Sequence, residues 1–293
     1  METFSFQKMQ GAGNDFVVLD GRTSDLPVSG LPEAAFSAAG ARAIAARHTG
    51  VGCDQVVLIE DARDATAHMR IRNADGGEVS TCGNATRCVA LLLMDERAES
   101  RVTIATKAGV LEATRDEAGC ISVNMGPPQT DWQAIPLKAT ADTLHLALGD
   151  GSLGDAVAVS MGNPHAVFFV EDAEKLPLGA LGVLGPVLER DPIFPERANI
   201  GIAQMLGKNR LRLRVWERGA GLTPACGSGA CAAVVAAARR GLLETGATVE
   251  VVQDGGHLFV CLRDDGDVLL SGPALRIFSG EISGDWLDRE MGP

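Results

Sequence analysis

Short blocks of apolar residues, most of them strand-length, recur along this chain. Residues 14–20, Asn-Asp-Phe-Val-Val-Leu-Asp, predict a strand entered from the turn Gly11-Ala-Gly-Asn14. Further strands are predicted at 55–60 and at 67–73, where Met69 and Ile71 alternate with Arg70 and Arg72. A helix is expected from Pro32 to His48, with proline at its start, an alanine-rich interior and Gly50 after its end. A largely apolar helix follows Cys82 over 85–94, and short strands follow near 101–106, 109–115 and 119–125. Gly126-Pro127-Pro128 then interrupts the pattern. It sets a boundary between a domain over 1–127 and a second over 128–273. Strands resume near 155–160, 166–171 and 210–216, and a helix is expected over 227–242. That helix is apolar nearly all round, which means burial on every side. A C-terminal strand within 274–293 is expected to return to the first domain.

The two halves repeat. Asn73-Ala-Asp-Gly-Gly-Glu-Val-Ser-Thr-Cys82-Gly-Asn and Glu217-Arg-Gly-Ala-Gly-Leu-Thr-Pro-Ala-Cys226-Gly-Ser lie 144 positions apart. Gln55 and Asn199 keep the same offset, and Gly13-Asn14 matches Gly162-Asn163 with an indel. Several pairs in the same order mark a duplicated architecture. In each half a central buried helix wrapped by short strands fits the pattern.

Composition narrows the function. A chain of 293 residues fits two domains. A net charge of −12 argues against a nucleic-acid or anionic-membrane partner. No apolar run reaches the ~18 residues of a membrane span, and the first residues lack the pattern of a signal peptide. Seven cysteines, an odd number, argue against a disulfide framework and for a reducing cytoplasm. Their spacing gives no zinc site, so no metal is expected.

A cysteine at a helix start sits beside unpaired N–H groups and the positive end of the dipole, which favour thiolate and bind anions. The N–H groups of Gly83, Asn84, Gly227 and Ser228 can hold one carboxylate from two helices. Cys82 and Cys226 then suit an acid and base pair on the α-carbon of an amino acid. One removes a proton while the other delivers a proton to the opposite face. No cofactor is expected for this chemistry. Cys53, Cys88, Cys120, Cys231 and Cys261 are read as packing residues.

The motifs Lys8-Met-Gln-Gly-Ala-Gly-Asn14-Asp-Phe, Gly50-Val-Gly-Cys-Asp-Gln55, Cys82-Gly-Asn-Ala-Thr-Arg-Cys88, Met161-Gly-Asn-Pro-His165, Phe194-Pro-Glu-Arg-Ala-Asn199 and Cys226-Gly-Ser-Gly-Ala-Cys231 extend the match. Together with the two duplicated stretches, they resemble the diaminopimelate epimerase family. The resemblance implies an α/β (α+β) fold of two pseudo-symmetric domains, each a barrel-like, mostly antiparallel sheet around a central helix. It implies epimerisation of LL- to meso-diaminopimelate without pyridoxal phosphate, in lysine and peptidoglycan precursor synthesis. The partner is then a small diamino dicarboxylate, and a homodimer is left open. By the same resemblance Asn14, Gln55 and Glu217 receive the reacting end with its ammonium. Asn73, Asn163, Asn199 and Arg218 read the distal centre, while His165 and Glu217 tune the cysteines.

The chain departs from the family pattern at Ala85, where glycine is usual, and at Cys53, where an aromatic is frequent. Other readings are a related cofactor-independent racemase of proline, hydroxyproline or histidine type, a thiol–disulfide redox protein, and a non-catalytic binding protein of the same fold. The redox reading lacks Cys-x-x-Cys spacing.

Overall fold

The computed structural model describes residues 3–22, 31–175 and 178–291. In chain order the elements are β1 (Thr3–Gly11), β2 (Asn14–Asp20), α1 (Leu31–Ala35), α2 (Ala38–Ala45), β3 (Gln55–Glu60), β4 (Ala67–Asn73), β5 (Glu78–Val79), α3 (Gly83–Arg97), β6 (Arg101–Thr106), β7 (Gly109–Arg115) and β8 (Ile121–Asn124). Then come β9 (Leu146–Ala147), β10 (Asp155–Ser160), β11 (Pro164–Phe169), α4 (Leu178–Glu189), β12 (Asn199–Gly207), β13 (Arg210–Glu217), β14 (Gly221–Thr223), α5 (Gly227–Arg239), β15 (Thr248–Gln253), β16 (Gly256–Leu262), β17 (Val268–Gly272), β18 (Leu275–Ser283) and α6 (Gly284–Met291). The chain forms two compact units, Met1–Val123 with Gly272–Pro293, and Asn124–Ser271.

In the first unit β1 pairs antiparallel with β2 and with β18, and β2 runs parallel to β3. β3 and β5 flank β4 antiparallel at its C-terminal end; β6 joins β4 in parallel and β7 closes on β6. The second unit repeats this order. β10–β11 is antiparallel, β11–β12 parallel, β12–β13 and β13–β14 antiparallel, β13–β15 parallel and β15–β16 antiparallel. The register repeats as well: Ile71 faces Val79, and 144 positions on Val215 faces Thr223.

The central strands of each sheet, β2 and β3 in the first unit and β10, β11 and β12 in the second, are apolar on both faces. Val57 and Ile59 alternate with Val56 and Leu58, and only the second pair joins the cluster with Phe4, Phe6, Val17, Leu19, Ile44 and Leu287 under α2 and α6. In the second unit Ile200 and Ile202, the counterparts of Val56 and Leu58, join Phe168, Leu181 and Leu188 under α4. The other face of each sheet packs on a central helix. α3 lies against β1, β2, β6 and β7; α5 lies against β10, β11, β12, β13 and β16. Burial of residues 229–237 of α5 is continuous, as its all-apolar sequence requires.

Several elements differ from the sequence expectation. The helix expected over 32–48 is two helices, because Ser37 ends α1 and caps α2, its side chain accepting from Gly40 N at 3.0 Å. The second central helix stops at Arg239 rather than at 242. The strand expected within 274–293 covers Leu275–Ser283, and the chain then turns into α6; residues 292–293 lie outside the described residues. α4 was not expected, since three glycines and a proline interrupt its sequence LGALGVLGPVLE.

α4 exists because it packs closely. A Cβ built at Gly185 would lie 2.5 Å from the Trp216 ring. Glycine to alanine in a helix interior ordinarily gains about 1 kcal/mol. Overpacking costs about 1–3 kcal/mol. Gly185→Ala is therefore expected to be net destabilising in urea unfolding; a rise in the midpoint would contradict the close approach.

Candidate active site

Each unit places one cysteine at the N-cap of its central helix. Cys82 precedes α3 with extended backbone angles (φ −149°, ψ 114°), and Cys226 precedes α5 with nearly the same ones (φ −127°, ψ 114°). The first intrahelical bonds run from Thr86 N to the Cys82 carbonyl and from Ala230 N to the Cys226 carbonyl. The N–H groups of Gly83, Asn84, Gly227 and Ser228 lie ahead of those bonds, at the anion-binding end of each helix.

In the first unit Cys82 Sγ lies 3.9 Å from Asn14 Oδ1, and Asn84 Nδ2 approaches the same oxygen at 3.5 Å. Asn14 Nδ2 donates to Asp54 Oδ2 at 2.7 Å. Behind the helix start sits Arg87, fully buried, which donates to Asn84 Oδ1 at 2.7 Å and to the carbonyls of Gly83 and Pro273. Gln55 and Asn73 face each other across β3 and β4, and Gln55 Nε2 donates to Asn73 Oδ1 at 2.8 Å. Gln55 Oε1 and Thr81 Oγ1 are buried and find no hydrogen-bond partner among the described residues. The structure therefore gathers Asn14, Cys82 and Asn84 at one point, and joins Gln55 to Asn73.

A charged cluster supports that point. Asp15 takes Lys8 Nζ at 2.6 Å and a two-pronged grip from Arg47. Burial alone would raise its pKa, but the hydrogen bonds from Arg47 and Lys8 prevail and hold it at about 2.

In the second unit Cys226 Sγ accepts from Gly229 N at 3.3 Å and lies 3.6 Å from Ser228 Oγ. Gln253 grips the Cys226 backbone, taking its N–H at 2.8 Å and donating to its carbonyl at 3.3 Å. Asn163 Nδ2 reaches Ser228 Oγ at 3.4 Å, and His165 Nε2 lies 3.0 Å from Asn163 Oδ1. The link from His165 to Cys226 thus runs through Asn163 and Ser228. Burial, with the nearby charge of Arg218, depresses the His165 pKa to about 3. His165 also stands opposite Asn199 across β11 and β12.

Asn199 Oδ1 accepts the backbone N–H of Arg218 at 2.9 Å, and Arg218 Nη1 donates to the Glu196 carbonyl at 2.9 Å. Thr223 donates a short hydrogen bond to Glu217. Buried Glu189 braces the same loop, accepting from Trp216 Nε1 at 2.8 Å and Gly219 N at 3.2 Å.

Burial pushes the thiols of Cys53 and Cys88 up to about 12, which suits packing residues. Cys231 is buried as well, whereas Cys120 and Cys261 are partly exposed. Among the described residues no group of three His, Cys, Asp or Glu side chains is placed to hold a metal ion, and no helix is long and apolar enough to cross a membrane.

A family model described as diaminopimelate epimerase matches residues 6–130 and 157–277. The chain belongs to the diaminopimelate epimerase family. It is 52% identical over 280 residues to a protein named diaminopimelate epimerase from Rhodospirillum centenum, covering 95% of this chain and 92% of that one. A relative of the same name from Acidiphilium cryptum is 53% identical over 277 residues, covering 94% and 95%. Among solved structures, a probable proline racemase from Agrobacterium radiobacter superposes with a TM-score of 0.71 at 17% identity, covering 98% of this chain and 95% of that one. A phenazine biosynthesis protein of the PhzF family from Bacillus anthracis gives 0.65 at 16%, covering 97% and 100%. These likenesses show that the chain shares its fold with them.

Asp54, Arg87, Glu189 and Gln253 were not singled out from the sequence. Arg87 alone left a signal there, as a charge inside an apolar helix.

The His165 shift carries a pH dependence. Unfolded, the imidazole takes up a proton near pH 6.5; folded, it does so only near 3. Between those values the unfolded state holds the extra proton, so stability falls as pH drops through that window, by at most about 1.4 kcal/mol per unit. His165→Gln is expected to flatten the decline in denaturant titrations between pH 6.5 and 4. An unchanged slope would mean that His165 is not held neutral.

Proposed function

We propose that this chain interconverts LL- and meso-diaminopimelate, with Cys82 and Cys226 as the acid and base pair. The observation that carries the reading is the placement of one cysteine, with the same backbone conformation, at the start of each central helix. In this reading the domains bring the two sulfurs to opposite faces of one Cα. A thiolate takes the Cα proton and becomes a thiol. The opposite thiol gives its proton to the other face and becomes a thiolate. Charge and protons balance, and the enzyme is left with the two roles exchanged.

The N–H groups of residues 83, 84, 227 and 228 hold the substrate carboxylate as negative charge spreads onto it. The ammonium supplies the donor that buried Gln55 Oε1 has not found among the described residues, and Asn14 and Glu217 add acceptors. Asn73, Asn163, Asn199 and Arg218 read the distal amino-acid centre, which a single-centre substrate lacks. The chemistry uses side chains and needs no pyridoxal phosphate. Thiols that cycle between acid and base call for a reducing compartment, the cytoplasm, where the product feeds lysine and peptidoglycan precursor synthesis.

Three experiments test this. Cα–H exchange in D₂O is expected with diaminopimelate and absent from a panel of single-centre amino acids. Cys82→Ser and Cys226→Ser should each lose turnover by at least about 100-fold; a Cys82→Ser protein at the wild-type rate ends the two-thiol mechanism. Arg218→Met should raise KM for diaminopimelate roughly tenfold or more, the size of one charge-assisted pair. Unchanged kinetics would put Arg218 outside the site.

A further inference from the structure

The polar side chains around Cys82 form one directed chain with both ends chemically fixed. At one end the Arg87 guanidinium can only donate, and it donates to Asn84 Oδ1 at 2.7 Å. At the other end the Asp54 carboxylate accepts Asn14 Nδ2 at 2.7 Å and Arg47 Nη2 at 2.7 Å. The two carboxamides between these ends have no choice of orientation. Asn84 must turn its nitrogen away from Arg87, toward Asn14. Asn14 must turn its nitrogen toward Asp54, which leaves its oxygen facing Asn84 and the Cys82 sulfur, at 3.5 and 3.9 Å.

We propose that Asp54 is a positioning residue for Cys82: with Arg87 at the far end, it locks the Asn14 carboxamide so that an oxygen, not an N–H, faces the sulfur.

The second half-site shows what the lock achieves. There a backbone N–H, from Gly229, points at the Cys226 sulfur. A Cβ at position 229 would lie 3.2 Å from that sulfur, and the matching position in the first unit carries one, as Ala85. The position matching Arg87 is Cys231. The Cys226 sulfur thus receives a fixed backbone donor, with the Ser228 hydroxyl beside it, whereas the Cys82 sulfur faces a side-chain acceptor. An acceptor favours S–H, so Asp54 biases Cys82 toward the acid role, and a donor biases Cys226 toward the base. The charges around Asn14 come from four elements or loops: Lys8 on β1, Asp15 on β2, Arg47 after α2 and Asp54 before β3. They sum to zero, and Arg87 on α3 adds the one further cation that faces this chain.

The proposal rests on Cys82 as an acid/base group, but its test does not need the epimerase assay. In Asp54→Leu the acceptor shared by Asn14 Nδ2 and the Asp15 backbone N–H is gone, while Arg47 keeps Asp15 as its partner. Only the 3.5 Å contact with Asn84 then orients Asn14, so its carboxamide turns over in part of the molecules and presents an N–H to Cys82. Iodoacetamide labelling at neutral pH, read by peptide mapping, should show Cys82 alkylated about threefold to tenfold faster than in the wild type, with Cys226 unchanged. Cys53 and Cys88, buried, should stay unlabelled and so report an intact fold. An unchanged or slower rate at Cys82 in that intact variant overturns the proposal. If Cys53 and Cys88 label as well, the variant has lost its fold and the wild type decides. Its Asn14 side-chain NH₂ protons should exchange with solvent at least about tenfold slower than those of an exposed amide, because the carboxylate holds them. Exchange at the exposed rate overturns the proposal.

Discussion

A helix buried on all its faces has nowhere to be polar except at its ends. α5 meets this constraint in full: its interior is alanine, valine and cysteine, every one of residues 229–237 is buried, and its backbone groups bond internally after the first turn. The donors of that first turn must then be met by something the helix itself cannot supply. Cys226 Sγ meets one of them, and Gln253 fixes the backbone of the capping residue. What remains is a set of aimed N–H groups beside a sulfur, which is what an acid/base group acting on an α-amino carboxylate requires. Burial leaves the polar groups of α5 no place on that element except its start, where the proposed chemistry is located.

α3 solves the same problem with a charge. Its sequence is less uniformly apolar, and Arg87 lies fully buried one turn beyond the cysteine. A guanidinium in that position needs several oxygens, and it takes the Asn84 side chain and two backbone carbonyls. The two units share strand order and register, so their cysteines occupy matching places. Their polar surroundings nevertheless differ, because Arg87 matches Cys231 and Ala85 matches Gly229. Duplication equalised the scaffold and left the two half-sites free to specialise. The proposed reaction, in which one sulfur gives a proton while the other takes one, would make use of that inequality.

The strands at 14–20 and 55–60 were legible because apolar residues fill them and both faces of the sheet are covered there, and those at 67–73 and 101–106 because apolar positions alternate with polar ones; of 109–115 only Ala113 is buried. The central helices were legible from their composition and from the cysteine that precedes each. α4 was not, because three glycines and a proline interrupt its leucines, and the close approach of Trp216 that favours glycine at 185 is not visible in sequence. The break at Ser37 was hidden inside an alanine-rich run; a serine that caps and a serine that merely sits in a helix look the same in sequence. In the site, Cys82, Cys226 and the asparagines stood out because they recur at fixed offsets. Asp54 and Glu189 did not, since each acts on a residue distant in sequence, Asn14 in one case and Gly219 in the other.

The charged cluster behind Asn14 bears on what such residues are for. Arg47 and Asp54 are 56% and 36% exposed, and ion pairs of that kind contribute only about 0–1 kcal/mol. Stability alone would therefore not select Lys8, Asp15, Arg47 and Asp54 over a packed apolar group. Orientation would. An apolar neighbour leaves a carboxamide free to turn over, since its oxygen and nitrogen ends have nearly the same shape. A carboxylate discriminates between them, and only because Arg47 and Lys8 keep the charge of the cluster balanced beneath it. The ion pairs thus convert charge into a direction imposed on a neutral amide whose oxygen faces the Cys82 sulfur at 3.9 Å. That direction is something hydrophobic packing has no means to specify.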